Sequence, residues 1–172
     1  NNTYCQDTPL AWIDWGNLDE DLLAFTQFLI ALRKAHPIFR RRRFFAGQRI
    51  DNWPQVPDIS WLKPNGEEMT PDDWQVAYAK TLTVVLNGAA LEEMDRIGRP
   101  LADSSFAIMF NASEQDDVCV VPQGNTIARW VEVLDTAVWP QPVGAATEYT
   151  TGATRTVTSR SVVVLRALAQ RS

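Results

Sequence analysis

Histidine is almost missing from this chain and cysteine is scarce: one histidine and two cysteines stand among 172 residues. Cys5 and Cys119 lie far apart with no CxxC pair or histidine-rich surround, so neither a structural zinc site nor a disulfide scaffold is indicated. Such usage suits a reducing, cytoplasmic setting, and no cofactor is expected. A Ser-His-Asp triad would have to use His36, and no GxSxG elbow accompanies it. Next to Pro37 at a helix terminus, His36 reads as a capping or packing residue rather than a base. Gly88, Gly98, Gly124 and Gly144 stand singly, without the GxGxxG or GxxxxGK[ST] spacing of a phosphate loop. No run approaches the roughly 18–20 apolar residues of a membrane span, so no membrane partner is expected. The first residues lack the basic and apolar regions of a signal peptide, but the chain opens without Met, so this says little of any longer protein. Positive charge is not in surplus either: 16 basic residues face 21 acidic ones, a net charge of -5. That offers no general attraction to a phosphate backbone, and no nucleic-acid partner is expected.

Apolar residues are plentiful, at 45%, enough for one substantial core. The opening NNTYCQDTPLAWIDW is too aromatic for a disordered tail and lacks the alternation of a strand, so it reads as a loop ordered against another surface. In GNLDEDLLAFTQFLIALRKAHPIF, Asn17 can cap a helix and Glu20, three residues on, can close a capping box. Acidic residues crowd the first turn and Arg33, Lys34 and His36 the last, matching the helix dipole, and Pro37 ends the element. Leu18, Leu22, Phe25, Leu29 and Leu32 recur at spacings of three and four. Leu23, Phe28, Ile30 and Ala31 widen the apolar surface until it needs cover on more than one side. Four arginines follow, Arg40 to Arg43, at what reads as a helix exit leading into a strand. They suit a solvated junction whose side chains snorkel; an ion-pair network to a neighbouring domain and an anion site are the alternatives.

Beyond the arginines, PDISWLK is a strand candidate ending at the Pro64-Asn65-Gly66 turn, and EEMTPDDW a short helix at most. TLTVVLNG, SFAIMFNAS, DVCVVPQG, ARWVEVLDT and SVVVLRAL are short runs rich in Val, Ile, Phe and Trp between turn residues. Phe106, Ile108 and Phe110 share one face by alternation; Trp130, Glu132 and Leu134 oppose Val131, Val133 and Asp135. Seven or eight strands without crossover helices point to antiparallel sheets packed as a β-sandwich, a mainly β fold. AATEYTTGATRT reads as a loop and strand edge. Glycoside hydrolysis needs two converging carboxylates, and Asp7, Asp14, Glu92, Glu93 and Asp95 are candidates whose spacing alone shows no convergence, while Asp72-Asp73 and Asp116-Asp117 look like turn charges. From residues alone, this is a helix-plus-sandwich module without a self-contained active site.

The opening stretch resembles the segment after the last barrel strand in bacterial glycogen debranching enzymes of the isoamylase type, within the α-amylase-like glycoside hydrolases. The likeness continues in order through LLAFTQFLIALRKAHPIFRRRRFFAG, SWLKPNGEEMTPDDW, LTVVLNG and SRSVVVLRAL, nearly the whole chain. It implies that residues 1–37 are the terminal loop and outer helix of a (β/α)8 catalytic barrel, and that 38–172 form the C-terminal β-sandwich domain. It places Asn1, Asn2, Tyr4, Gln6 and Asp7 on the substrate face as sugar-binding candidates, with Trp12 and Trp15 packing the loop; loop support is the competing role for each. The family's nucleophilic aspartate, general-acid glutamate and stabilising aspartate lie upstream of the matched region, so no catalytic residue is assigned. The implied partners are the missing N-terminal catalytic barrel and, for an intact parent, a branched α-glucan cut at its α-1,6 linkages. A fragment so exposed is expected to self-associate. The alternative is an autonomous glucan-binding or protein-interaction module.

Overall fold

Among the residues described by the computed structural model, 4–47, 57–91, 93–124, 127–140 and 146–168, the Val- and Ile-rich runs all become strands. They give β1 (Ile59–Leu62), β2 (Thr81–Leu86), β3 (Phe106–Asn111), β4 (Asp117–Val120), β5 (Arg129–Asp135) and β8 (Ser161–Leu168), while the stretch expected to be a loop and one strand edge supplies two strands, β6 (Glu148–Thr150) and β7 (Thr154–Val157). Six form one sheet in the order β1-β2-β3-β8-β5-β6, and β4 and β7 form a second. Every pairing is antiparallel. The chain is thus mostly β, with one long helix.

Both faces of the six-stranded sheet are apolar, because its strands alternate two sets of hydrophobic side chains. One face carries Ala107, Met109, Trp130, Val163 and Leu165 into a core shared with Cys119 and Val157 of the two-stranded sheet. Trp130 fits there because its indole N–H donates to the carbonyl of Pro122 at 3.0 Å, leaving no unpaired donor. The other face carries Val84, Leu86, Phe106, Leu134 and Val164 into a second core with Ile38, where Phe25, Phe28, Phe39 and Trp139 pack. The expected grouping of Phe106 and Ile108 holds, and Phe110 lies at its exposed margin.

Strand β5 departs from simple alternation. Its register against β8 shifts between Glu132 and Leu134, so the bulge turns the following residues over. Leu134 joins Val133 in the second core, instead of lying opposite it. Asp135 comes to the side of Glu132, and both reach Arg155 on β7: Nε to Glu132 at 2.9 Å and Nη2 to Asp135 at 2.6 Å. Tyr149 donates its hydroxyl to the same Glu132 at 3.0 Å. The bulge thereby builds a charged staple between the two sheets.

Helix α1 (Glu20–Ala35) starts later than its sequence suggests. The cap is Asp19, which accepts from the Leu22 N–H at 2.9 Å, and not Asn17. Asn17 is used one turn earlier, its N–H donating to the Asp14 carbonyl, while Gly16 N–H donates to the Asp14 side chain. A 3-10 turn, Pro37–Arg40, follows directly. From Arg41 to Gly47 no strand forms, contrary to expectation, and the rest of that stretch, 48–50, lies outside the described residues. The described part instead turns the Ala46 and Gly47 N–H groups toward Asp58 and the Arg42 N–H toward Glu93. The EEMTPDDW helix shrinks to a 3-10 turn, Asp73–Gln75, held by reciprocal hydrogen bonds between Thr70 and Asp73.

Candidate functional site

Of the proposed sugar-binding set, Asn1 and Asn2 lie outside the described residues, whereas Tyr4, Gln6 and Asp7 share one exposed loop. Its internal order is local. The Trp12 indole donates to Asp7 Oδ1, Ala11 N–H to the Thr8 carbonyl, and the Asp14 turn leads into the helix. Tyr4 and Cys5 both adopt left-handed backbone, φ 50° and 58°. For non-glycine residues that conformation costs roughly 1–2 kcal/mol each. Tyr4, Leu10, Trp12, Ile13 and Trp15 all remain exposed, Tyr4 at 78%. The loop therefore displays aromatics instead of burying them, and it keeps Tyr4, Gln6 and Asp7 on one short segment.

The display continues on α1. One flank, Phe25 and Phe28, packs against the sheet through Trp139, with ring centroids 5.0 and 5.2 Å away. Another flank carries Leu22 and Leu29, then Leu23 and Ile30, at spacings of seven that form two neighbouring rows. Those rows face outward, Leu22 59% and Ile30 48% exposed. A helix in water does not place leucine on both flanks for its own stability, so the outward rows suit an apolar partner.

Two charged anchors hold the helix exit on the sheet. His36 Nδ1 lies 2.7 Å from Asp103 Oδ1, and Asp103 Oδ2 accepts the Ile38 N–H at 3.0 Å. The His36 ring also meets Phe106 edge-on at 4.7 Å. Its expected role of cap and packing residue is what the structure shows. Arg41 departs from the solvated-junction reading: its side chain is 6% exposed, lies 4.2 Å over the Phe45 ring, and donates to buried Asp58 at 2.8 Å. Arg40, Arg42 and Arg43 do face solvent. Asp58 accepts further from Ala46 and Gly47 N–H at 3.0 and 2.9 Å. Burial alone would raise its carboxyl, but those two amides and the guanidinium outweigh it and hold the group below the usual carboxylate value. Nothing in the sequence singled out Asp58 or Trp139; an aspartate opening a strand run, after proline, was the one available signal for the former.

The remaining chemistry is structural. Asp95 accepts from Ile97 and Arg99 N–H and organises a turn, while Glu93 accepts from Arg42 N–H and ties two distant segments together. Glu92 lies outside the described residues. Burial, followed by the Asp117 charge, pushes the Cys119 thiol up to about 11, which leaves no thiolate for attack at neutral pH. Among the described residues no three His, Cys, Asp or Glu side chains cluster as a metal site, and no helix is long and apolar enough to cross a membrane.

The family model described as "Isoamylase, C-terminal" matches residues 58–166. Over 170 residues, 96% of the chain, it is 44% identical to a protein named glycogen operon protein GlgX homolog from Mycobacterium tuberculosis (strain ATCC 25618 / H37Rv). It is 43% identical over 75 residues, 44% of the chain, to the glycogen debranching enzyme of Dickeya chrysanthemi, 10% of which is covered. With that of Serratia proteamaculans (strain 568) the identity is 29% over 143 residues, 78% of the chain and 20% of the relative. The chain spans 23% of the mycobacterial relative.

Proposed function

Since this chain belongs to the isoamylase C-terminal family, we propose that it is the C-terminal part of a cytoplasmic glycogen debranching hydrolase whose longer protein cleaves α-1,6 branch linkages. The observation that carries this reading is an alignment covering 96% of the chain yet 23% of its relative. The outward rows of α1 and the exposed aromatic loop support it, being surfaces suited to more chain. Residues 1–37 then complete a (β/α)8 barrel, with the loop on its substrate face. Residues 38–172 are a β-sandwich that buttresses the last helix.

In that arrangement the chemistry, retaining hydrolysis through a glycosyl-aspartate intermediate, is performed upstream. This chain's part is to position. Tyr4, Gln6 and Asp7, with Asn1 and Asn2, line a sugar-facing loop, and the Asp103 and Asp58 anchors fix the helix from which that loop hangs. The test is release of reducing ends from limit dextrin by the longer reading frame and by residues 1–172. Activity is expected in the first and none in the second. Hydrolysis by residues 1–172 that a substitution within them abolishes would overturn the reading.

A further inference from the structure

Between the first turn of α1 and the connection leaving β5 lies an open cavity of about 320 Å³, lined by Asp19, Asp21, Leu22, Phe25, Thr136 and Trp139. We propose that it is a pyranose subsite for α-glucan, separate from the loop of Tyr4, Gln6 and Asp7; this deepens the hydrolase reading and rests on it for the choice of sugar. The volume is that of small-ligand clefts, roughly 300–1,000 Å³. Its walls combine what a sugar ring presents: apolar C–H faces and a rim of hydroxyls that both donate and accept.

Phe25 and Trp139 supply the apolar wall, and they are already positioned. Their rings meet edge-to-face at 5.0 Å and 69°, and Phe28 supports Trp139 from 5.2 Å. Around them the polar groups keep unused capacity. Asp19 uses Oδ1 to cap the helix, which leaves its second oxygen. Asp21 has no hydrogen-bond partner among the described residues, so both its oxygens can accept. The Thr136 hydroxyl accepts from Val162 N–H at 2.9 Å and retains its own proton to donate. Two carboxylates disfavour an anionic ligand, and the Thr136 hydroxyl beside several acceptors suits a neutral polyol. The Trp139 Nε1, buried without a hydrogen-bond partner among the described residues, adds a second unused donor to the lining residues. Because the cavity opens to solvent, neighbouring residues of a polymer can extend beyond it.

The experiment is a titration of the isotope-labelled 172-residue chain with maltohexaose, followed by amide NMR. Saturable shifts at Leu22, Phe25, Thr136 and Trp139 are expected, with a dissociation constant on the order of 1 mM. Asp21→Ala should weaken binding about tenfold while leaving the thermal transition in place, and Trp139→Leu should do the same. If Trp139→Leu does not fold, Asp21→Ala decides alone. Absent or scattered shifts, or unchanged affinity in Asp21→Ala, would overturn the subsite. So would tetramethylammonium reproducing the shifts while maltohexaose leaves them unmoved, since the cavity would then hold a small cation. Failure here leaves the hydrolase reading to the limit-dextrin assay, and failure of that assay does not alter the titration.

Discussion

Asp58 is the residue whose removal should be felt furthest. It gathers Arg41, Ala46 and Gly47, so Asp58→Ala would leave a buried guanidinium and two amides unpaired. We expect a loss of about 3 kcal/mol in urea unfolding. Its carboxyl sits below the usual value in the folded chain, so the stabilisation is complete above the unfolded value of about 3.9. It disappears as pH falls through the lower folded value. Acid titration of stability should therefore show a component below about pH 4 that Asp58→Ala lacks. Arg155 holds an equivalent place between the sheets. Removing it strands Glu132 and Asp135, and Arg155→Met should cost more than Arg160→Met, whose partner Glu114 is solvent-exposed. Neither hub was readable from sequence, because each depends on pairs brought together only by folding. The bulge in β5 made the second harder still: strict alternation sends Asp135 away from Glu132.

Elements were more legible than their edges. The Val- and Ile-rich candidates became strands because alternation and turn residues agreed, whereas the stretch running on from the four arginines did not over 41–47, and the long helix lies where its apolar spacing put it. The cap was misplaced by two residues, since Asn17, Asp19 and Glu20 all offer capping chemistry and only the Asp14 turn decides among them. Asp19→Ala should therefore destabilise the chain by about 1 kcal/mol, and Asn17→Ala by much less, in thermal melts. Between β2 and β3 the chain passes so close to itself that a Cβ on Gly88 would lie 2.3 Å from the carbonyl oxygens of Asp103 and Ser104. Gly88→Ala must move backbone. A loss of at least about 2 kcal/mol is expected, by the same melts.

At the scale of the molecule, the two flanks of α1 have separate fates. Phe25 and Phe28 are engaged by this chain, while Leu22, Leu23, Leu29 and Ile30 face outward. Light scattering should find self-association that Leu23→Glu with Ile30→Lys reduces without lowering the melting temperature. The opening loop was legible as an irregular aromatic segment, but the cavity was not, because its walls come from segments more than 100 residues apart and share no local pattern. Strand order has a consequence for synthesis. β8, which follows all the other described strands in chain order, sits between β3 and β5 and, among the described residues, joins β1-β2-β3 to β5-β6. A ribosome adding ~5–20 residues per second leaves β3 and β5 with bare edges for several seconds before β8 emerges. During that interval the nascent chain carries two open templates for wrong pairing, so a stall or early stop just before Ser161 should yield aggregate in place of a smaller folded protein.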